Sequence, residues 1–156
     1  MNTVRLACVQ CDFVFWDNPV PVAAAVLLRG EELVLVRPNY MPQGRWGLPG
    51  GFVEKGERAE DAVVREIFEE TNLKAEIVGL IGTYAINRPG KNLLYIAFHA
   101  NGKGGKLSAG SEIAEIATAG PSKALNLLRN SVSGEAVADW ISAQNSGSRS
   151  LKARFS

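Results

Sequence analysis

The chain is predicted to form an α/β domain, because segments typical of strands alternate with an amphipathic helix along its 156 residues. A near-continuous apolar run over residues 20–28 predicts a buried strand, and residues 33–37 follow it after a short turn. Two longer strands are predicted over 75–86 and 93–100. Between these pairs, residues 59–71 predict a helix with one apolar side and one acidic side. The length suits one domain with a sizeable core.

The segments between these elements complete the expected order of the chain. They are a loop over 38–45, a short strand over 46–48, a turn over 87–90, a glycine-rich loop over 102–110, and helices over 122–129 and 135–144. We expect residues 1–17 to form an N-terminal segment and residues 18–145 to form the domain. The polar tail over 146–156 is expected to be disordered.

Composition and charge exclude several classes of protein. The hydrophobic content of 46% and the charged content of 21% are ordinary for a globular chain. The net charge of +1, from 17 basic and 16 acidic side chains, gives no electrostatic reason to expect nucleic acid or membrane partners. No apolar run approaches the ~20 residues that span a bilayer, and no secretory leader is apparent. We therefore expect a cytoplasmic protein.

Three carboxylates on the predicted helix indicate a metal site. Glu66, Glu69 and Glu70 lie three and four residues apart and so project from one helix face. Like charges at this spacing repel each other, so a positive group is expected among them. Mg²⁺ prefers carboxylate oxygens, together with waters and substrate phosphates. A solvated acidic surface is the simpler alternative.

The residues before the helix favour the metal site over the solvated surface. Leu48-Pro49-Gly50-Gly51 suits a backbone bent tightly enough to present amides or a carbonyl to phosphates or a metal. Glu57 and Arg65 are eight residues apart, which is too far for a direct pair along one straight helix. They meet only if Glu57 folds back from the loop at the helix start.

Taken together, residues 51–73 resemble the Nudix box, GX5EX7REUXEEXGU, in which U is aliphatic. Six of its seven fixed positions and both aliphatic positions match, and Asn72 replaces the last glycine. Asn tolerates the left-handed conformation at a helix end, so we expect no loss of activity. The resemblance implies an α/β/α sandwich with a mixed sheet, in which the box forms a loop, a helix and a loop.

The resemblance also implies residue roles and a reaction. The implied metal ligands are the Gly50 carbonyl, Glu69, Glu70 and Glu66, and Glu66 is alternatively a general base. Arg65 is implied to orient the glutamates, with Glu57 as its partner. The implied cofactor is Mg²⁺, or alternatively Mn²⁺. The implied reaction is attack of a metal-bound water on one phosphorus of a small nucleotide's pyrophosphate, which releases two phosphorylated halves.

Nudix proteins often add one carboxylate from a loop after the box. Glu112 and Glu115 lie where that loop is expected. We assign Glu115 as a catalytic residue because Ile116 follows it, as an apolar residue follows the family's glutamate. The alternative is that both acids are ordinary surface residues.

Cys8 and Cys11 form a C-x2-C pair that resembles one half of the zinc ribbon preceding some Nudix domains. A structural zinc site needs four ligands, and the chain has no other cysteine and a single histidine, His99. We therefore expect no zinc site within one chain and interpret the pair as free thiols. A site shared by two chains is the alternative, and a homodimer stays open. His99 is expected to be structural.

The substrate is less constrained than the reaction. Pro89 lies about sixteen residues beyond the box, as in ADP-ribose pyrophosphatases, although a hairpin turn explains it equally well. The run SQPWPFPXS of NADH-cleaving members is absent. We therefore expect ADP-ribose or a similar nucleotide sugar. The alternatives are an NADH or dinucleoside polyphosphate hydrolase and a nucleotide sensor without hydrolysis.

Several side chains outside the box are candidates for substrate contacts. Arg37, Arg45 and Arg88 are candidates for binding the second phosphate or the ribose. Phe52 and Tyr84 are candidates for stacking on a base, although we expect core packing for both.

Overall fold

The computed structural model describes residues 4–152. Its elements, in chain order, are β1 (Leu6–Ala7), β2 (Val14–Phe15), β3 (Val20–Arg29), β4 (Glu32–Pro38), β5 (Gly50–Phe52), α1 (Ala59–Thr71), β6 (Lys74–Arg88), β7 (Lys91–Gly104), β8 (Ile113–Ala119), α2 (Pro121–Leu127) and α3 (Val132–Lys152). Within these residues, no helix combines the length and apolar character that crossing a bilayer requires.

The main sheet is mixed, with the strand order β6-β7-β3-β4-β8. β3 runs parallel to β7, and the other neighbouring strands of this sheet pair antiparallel. β4 pairs with β3 next to their turn, at Leu28 and Arg29, whereas β5 pairs with β3 farther back, at Val22–Ala24. β3 and β4 therefore separate beyond their turn, and β5 lies beside β3 in the opening between them. This arrangement positions Gly50 and Gly51, at the start of the box.

Two cores lie on opposite faces of the sheet, so the predicted α/β/α sandwich is confirmed. On one face, Ala62, Val63 and Ile67 of α1 pack against alternate residues of β3 and β7. On the other face, α2 and α3 cover the sheet, with Leu128 at the end of α2 and Trp140 of α3 in the core, among other side chains. Successive residues of β3 point alternately into the two cores and are buried on both faces, which explains why its apolar run is nearly continuous.

The observed elements differ from the predicted ones in three places. The short strand is β5 rather than residues 46–48, of which Gly47 forms only an isolated bridge with Val36. Residues 113–119 form β8, which was not predicted and pairs with β4. Helix α3 continues through Lys152, past the predicted start of a disordered tail at residue 146, and residues 153–156 of that tail lie outside the described residues.

The N-terminal segment forms a hairpin of β1 and β2 that is a separate two-stranded sheet. Cys8 and Cys11 lie in its turn, and both are exposed free thiols. The backbone N–H of Gln10 donates to the Cys8 sulfur at 3.4 Å. This bond, assisted by the side chain and backbone of Cys11, lowers the pKa of the Cys8 thiol.

Candidate active site

Two glycines of β5 allow the strand to lie against both β3 and the acidic face of α1. Gly50 is paired with Ala24, and a Cβ at Gly50 would overlap the backbone of Ala23 and Ala24. A Cβ at Gly51 would overlap the Glu66 carboxylate. Glycine is therefore required at position 50, because a side chain there would push β5 away from β3, whereas a side chain at position 51 would displace the Glu66 carboxylate.

Asn72 ends α1 as the sequence predicted. It has a left-handed backbone, with φ of 59° and ψ of 17°, and its N–H donates to the Phe68 carbonyl. Its side-chain amide donates to the Lys106 carbonyl at 2.9 Å. Asn therefore replaces the glycine of the box without changing the end of the helix.

Arg65 holds three carboxylates at once. Its guanidinium donates to both oxygens of Glu57, at 2.9 and 3.0 Å, which confirms that Glu57 folds back from the loop. The same guanidinium donates to Glu66 at 2.8 Å and to Glu69 at 3.2 Å. We call these four residues the Arg65 cluster. The bond from Arg65 lowers the pKa of the Glu57 carboxyl, so Glu57 stays ionised.

Glu70 has a different environment from the Arg65 cluster. It is half-buried, and one oxygen accepts a hydrogen bond from the Gly50 N–H at 2.9 Å. Within residues 4–146, whose side chains the structure describes, no cationic side chain forms an ion pair with it. Burial raises its pKa to about 8, and the nearby charges of Glu66, Glu112 and Glu69 also raise it, whereas the Gly50 N–H opposes the shift.

The donor set fits a hard divalent cation that keeps most of its own water. In the described residues, Glu66, Glu69 and Glu70 each retain one oxygen without a hydrogen bond from protein. Within the same part of the chain, however, no three acidic, His or Cys side chains are already gathered as a preformed metal centre. Because like charges repel and Arg65 draws two of the carboxylates, separation is expected without a cation. Mg²⁺ also needs only one or two protein carboxylates.

The two candidate loop acids, Glu112 and Glu115, have different surroundings. Glu115 lies on β8, paired with Arg37 of β4, and their side chains form an ion pair at 2.8 Å. Glu112 precedes the strand, and its charge contributes to the raised pKa values of Glu70 and Tyr40. The geometry therefore argues against the assignment of Glu115. The assignment of Glu115 assumed a loop in this segment, whereas residues 113–119 form β8.

A cavity of about 930 Å³ opens beside Glu70, on the sheet face that α3 covers. Gly50, Phe52 and Glu70 line one side of it. The loop between β4 and β5, the β6–β7 hairpin and the turn before α3 supply the other walls. Arg45 and Arg88 line the cavity, as does Lys91, so positive charge is available in the cavity that Glu70 also lines. Arg37, by contrast, is paired with Glu115.

An aromatic row forms part of the cavity floor. The row runs across four strands, from Phe52 of β5 through Val22 of β3 and Tyr95 of β7 to Tyr84 of β6. Each residue is directly paired with the next, and directly paired residues share one sheet face. Phe52 is 59% exposed, so our expectation that it packs in the core is wrong. The Tyr84 hydroxyl donates to Asp139 of α3 at 2.6 Å, which fixes that ring.

Two other candidates from the sequence lie outside the cavity wall. The described lining residues include Arg88 and Gly90 but not Pro89, which lies between them in the hairpin turn. His99 packs edge-to-face on Trp140, with ring centroids 5.6 Å apart, and burial lowers its pKa. These contacts agree with the predicted structural role of His99.

The comparisons with known proteins agree with the box and the fold. A family model described as NUDIX domain matches residues 19–140. The ADP-ribose pyrophosphatase of Methanocaldococcus jannaschii is 36% identical over 101 residues, which is 63% of this chain and 60% of that protein. The NAD-capped RNA hydrolase NudC of Pseudomonas fluorescens is 29% identical over 64% of this chain and 36% of its own length. The chain thus matches less than two thirds of each of these relatives.

Solved structures match over more of the chain. A NUDIX hydrolase from Nitrosomonas europaea has a TM-score of 0.72 and 25% identity, and the match covers 85% of this chain and 76% of that one. A Caenorhabditis elegans Ap4A hydrolase has a TM-score of 0.69 and 23% identity over 82% of this chain and 98% of that one, which concerns the fold alone. Since the family model covers most of the chain, and the box geometry and fold agree with it, the chain belongs to the NUDIX domain family.

Proposed function

We propose that this protein is a Mg²⁺-dependent pyrophosphohydrolase whose substrate is a nucleoside diphosphate linked to a second moiety, with ADP-ribose or a similar nucleotide sugar as the leading candidate. The observation that carries the proposal is Glu70, a half-buried carboxylate without a cationic partner among the described residues, beside the Gly50 backbone at the edge of a large cavity. A charge in this position is stabilised when a cation binds to it.

Glu69, Glu70 and the Gly50 carbonyl are the residues that would hold the metal. When bound, Mg²⁺ supplies charge for the pyrophosphate oxygens and acidifies a water molecule. Arg65 keeps Glu66 and Glu69 oriented, and Glu57 in turn fixes Arg65. Two roles are open to the second oxygen of Glu66, metal ligand and proton acceptor. They differ in the effect of Glu66→Gln, because loss of a ligand weakens metal binding, whereas loss of a base lowers kcat alone.

Glu112 replaces Glu115 as our proposed loop carboxylate. Its charge contributes to the raised pKa of Glu70.

Arg45 and Arg88, two cationic side chains that line the same cavity, would bind the phosphate or the ribose of the departing half.

The aromatic row supports a nucleoside substrate. Phe52 offers an exposed ring in the cavity, and its carbonyl accepts a hydrogen bond from Arg65 at 3.2 Å. The Phe52 carbonyl therefore connects the aromatic row to the Arg65 cluster. Stacking of a base on an aromatic side chain contributes about 1–3 kcal/mol.

Phe52→Ala should raise KM for ADP-ribose about tenfold, as the loss of one stacked base predicts. It should leave phosphoribosyl pyrophosphate, a pyrophosphate without a base, within about twofold of wild type. Phe68→Ala is the matched control, because Phe68 is also exposed but lies on α1 outside the cavity lining. Equal losses for both substrates would remove Phe52 from base recognition.

The direct test is hydrolysis of a substrate panel with and without Mg²⁺. The panel contains ADP-ribose, NADH, diadenosine polyphosphates, nucleotide sugars and nucleoside triphosphates, with products separated by ion exchange. We expect AMP and ribose 5-phosphate from ADP-ribose, and no product from the Glu70→Gln protein. Cleavage of another panel member alone would change the substrate, whereas tight nucleotide binding without cleavage would favour a sensor.

A NADH or NAD-cap hydrolase is the second candidate, because relatives named NAD-capped RNA hydrolase align over 64% of this chain. The same panel separates the two, since cleavage of NADH releases AMP and reduced nicotinamide mononucleotide.

A further inference from the structure

The loop between β7 and β8 is fastened to the C-terminal end of α1. The Gly110 N–H donates to the Glu70 carbonyl at 3.0 Å, and the Ser108 N–H donates to the next carbonyl of the helix at 3.1 Å. The loop and the helix are in close contact, because a Cβ at Gly110 would overlap the Glu69 carbonyl. Glu112 follows Gly110 by two residues, which span at most about 7 Å. The backbone of Glu112 is therefore held close to that of Glu70.

The other side of this loop is held by Asn39, the first residue after β4. Its backbone N–H donates to the Glu112 carbonyl and its side-chain amide donates to the Ser111 carbonyl, both at 2.8 Å. These two carbonyls belong to the peptide groups on either side of the Glu112 Cα. Because a peptide group is planar, fixing both of them fixes the backbone angles of Glu112 and the direction in which its side chain leaves the backbone.

A β-bulge brings Asn39 to this position. The pairing of β4 with β8 shifts by one residue after Arg37 and Glu115, so that Ala114 is an extra residue on β8. With this shift, Asn39 lies opposite Glu112, whereas a regular ladder would place it opposite the residue after Glu112. Bulges often lie beside active sites, where they redirect a side chain.

Stability of the fold does not explain these contacts well. Asn39 and Glu112 are both exposed, and water can replace hydrogen bonds between exposed groups. Tyr40, the next residue along the chain, lines the cavity. The charge of Glu112 contributes to the raised pKa values of Tyr40 and Glu70, in agreement with a carboxylate held close to both. The position of Glu112 is therefore what the two bonds from Asn39 determine.

We propose that Asn39 is a positioning residue, which acts on the reaction by holding Glu112 beside Glu70 through the two peptide groups that flank Glu112. This inference rests on the proposed function, in which Glu112 is the loop carboxylate. Removal of the Asn39 side chain frees the Ser111 carbonyl, whereas the backbone bond to the Glu112 carbonyl stays. The expected defect is therefore a partial loss of kcat with little change in KM.

A double-mutant cycle tests whether Asn39 acts through Glu112. It compares wild type, Asn39→Ala, Glu112→Gln and the double variant on the member of the substrate panel that wild type cleaves. Asn39→Ala should lower kcat about fivefold, as loss of a group that orients a functional side chain does, with KM within about twofold of wild type. In the Glu112→Gln background, the same substitution should lower kcat by less than about twofold.

Glu57→Gln provides the matched background, because Glu57 is held by Arg65 before the other end of α1. In that background, Asn39→Ala should keep its full loss of about fivefold, as expected for independent sites. Asn39→Asp has the same size and lacks the amide donor, so it should lose at least as much as Asn39→Ala. The melting temperature of Asn39→Ala should fall by no more than about 2–4 °C.

Four kinetic results would overturn the proposal. They are an equal loss of kcat in the wild-type and Glu112→Gln backgrounds, no loss in either, a rise in KM at unchanged kcat, and full activity of Glu112→Gln itself. A wild-type protein that cleaves no panel member would instead contradict the proposed function.

Hydrogen exchange tests the positioning of Glu112 without turnover. Peptides that cover residues 106–113 should exchange faster in Asn39→Ala than in wild type, while those from the first turns of α1 stay unchanged. Equal exchange over residues 106–113 in the two proteins would show that Asn39 does not hold this loop.

Discussion

The carboxylates at the two ends of α1 have opposite environments. In the loop just before α1, Glu57 has both oxygens bound by Arg65, and the pKa of its carboxyl is lowered. At the C-terminal end, Glu70 meets only the Gly50 N–H, and burial raises its pKa to about 8. The protein itself supplies the counter-charge of Glu57, whereas that of Glu70 must come from outside. Glu57 therefore holds Arg65 in a fixed position, whereas Glu70 is the residue at which a metal ion is needed.

Glu70→Gln should have the largest effect on turnover. Removal of this charge should lower kcat by at least ~10²-fold, as loss of a principal electrostatic stabiliser does. In the absence of metal, the variant should unfold at a higher temperature than wild type at about pH 8, because no buried charge remains. Steady-state kinetics and a thermal melt measure the two effects. Turnover within twofold of wild type would remove Glu70 from the site.

Glu57→Gln should act through position rather than charge at the metal. It breaks the paired contact that fixes Arg65, so Glu66 and Glu69 lose their orientation. Groups that orient metal ligands typically change affinity or activity 10–100-fold, and we expect about tenfold here. The melting temperature should fall, in contrast to Glu70→Gln. If both variants shift the melting temperature in the same direction, the two ends of α1 do not differ as described.

Glu112→Gln and Glu115→Gln form a matched pair on one segment. Because Glu112 acts on Glu70 and Glu115 is paired with Arg37, we expect a roughly tenfold loss of kcat for the first and less than twofold for the second. The reverse order of effects would restore the original assignment of Glu115.

Magnesium affinity should rise with pH. Mg²⁺ binds ionised Glu70, so a proton must leave below the pKa of about 8. Apparent affinity should therefore rise up to about tenfold per pH unit towards pH 8 and then level off.

The free energy of unfolding measured without metal should instead fall as pH rises. The contribution of neutral Glu70 is complete below its ordinary pKa of 4.5 and is lost as pH rises through about 8. Calorimetry on wild type and Glu70→Gln would detect both trends, which the variant should lack.

Local sequence patterns predicted the box, and they did so for physical reasons. The apolar stripe and its end at Asn72 depend on residues within a few turns, so the bounds of α1 agree with prediction. The return of Glu57 to Arg65 followed from their spacing and opposite charges.

Features that depend on pairing between distant strands were not predicted. β8 is a short run of Ile, Ala, Glu and Thr, which becomes a strand because β4 offers it a partner. The Arg37–Glu115 pair follows from that register, so the partner of Glu115 could not be predicted from local sequence. Phe52 was expected in the core because aromatic side chains usually bury their large apolar surface there. Its exposure depends on the opening between β3 and β4.

Direct measurement of metal binding tests the central claim, that Glu70 is the carboxylate whose counter-charge is a metal ion. Mn²⁺ can be titrated into wild type, Glu70→Gln and Glu115→Gln while free Mn²⁺ is followed by electron paramagnetic resonance. Our account predicts that wild type and Glu115→Gln bind alike and that Glu70→Gln loses at least ~10-fold in affinity. Equal binding by all three proteins would contradict it.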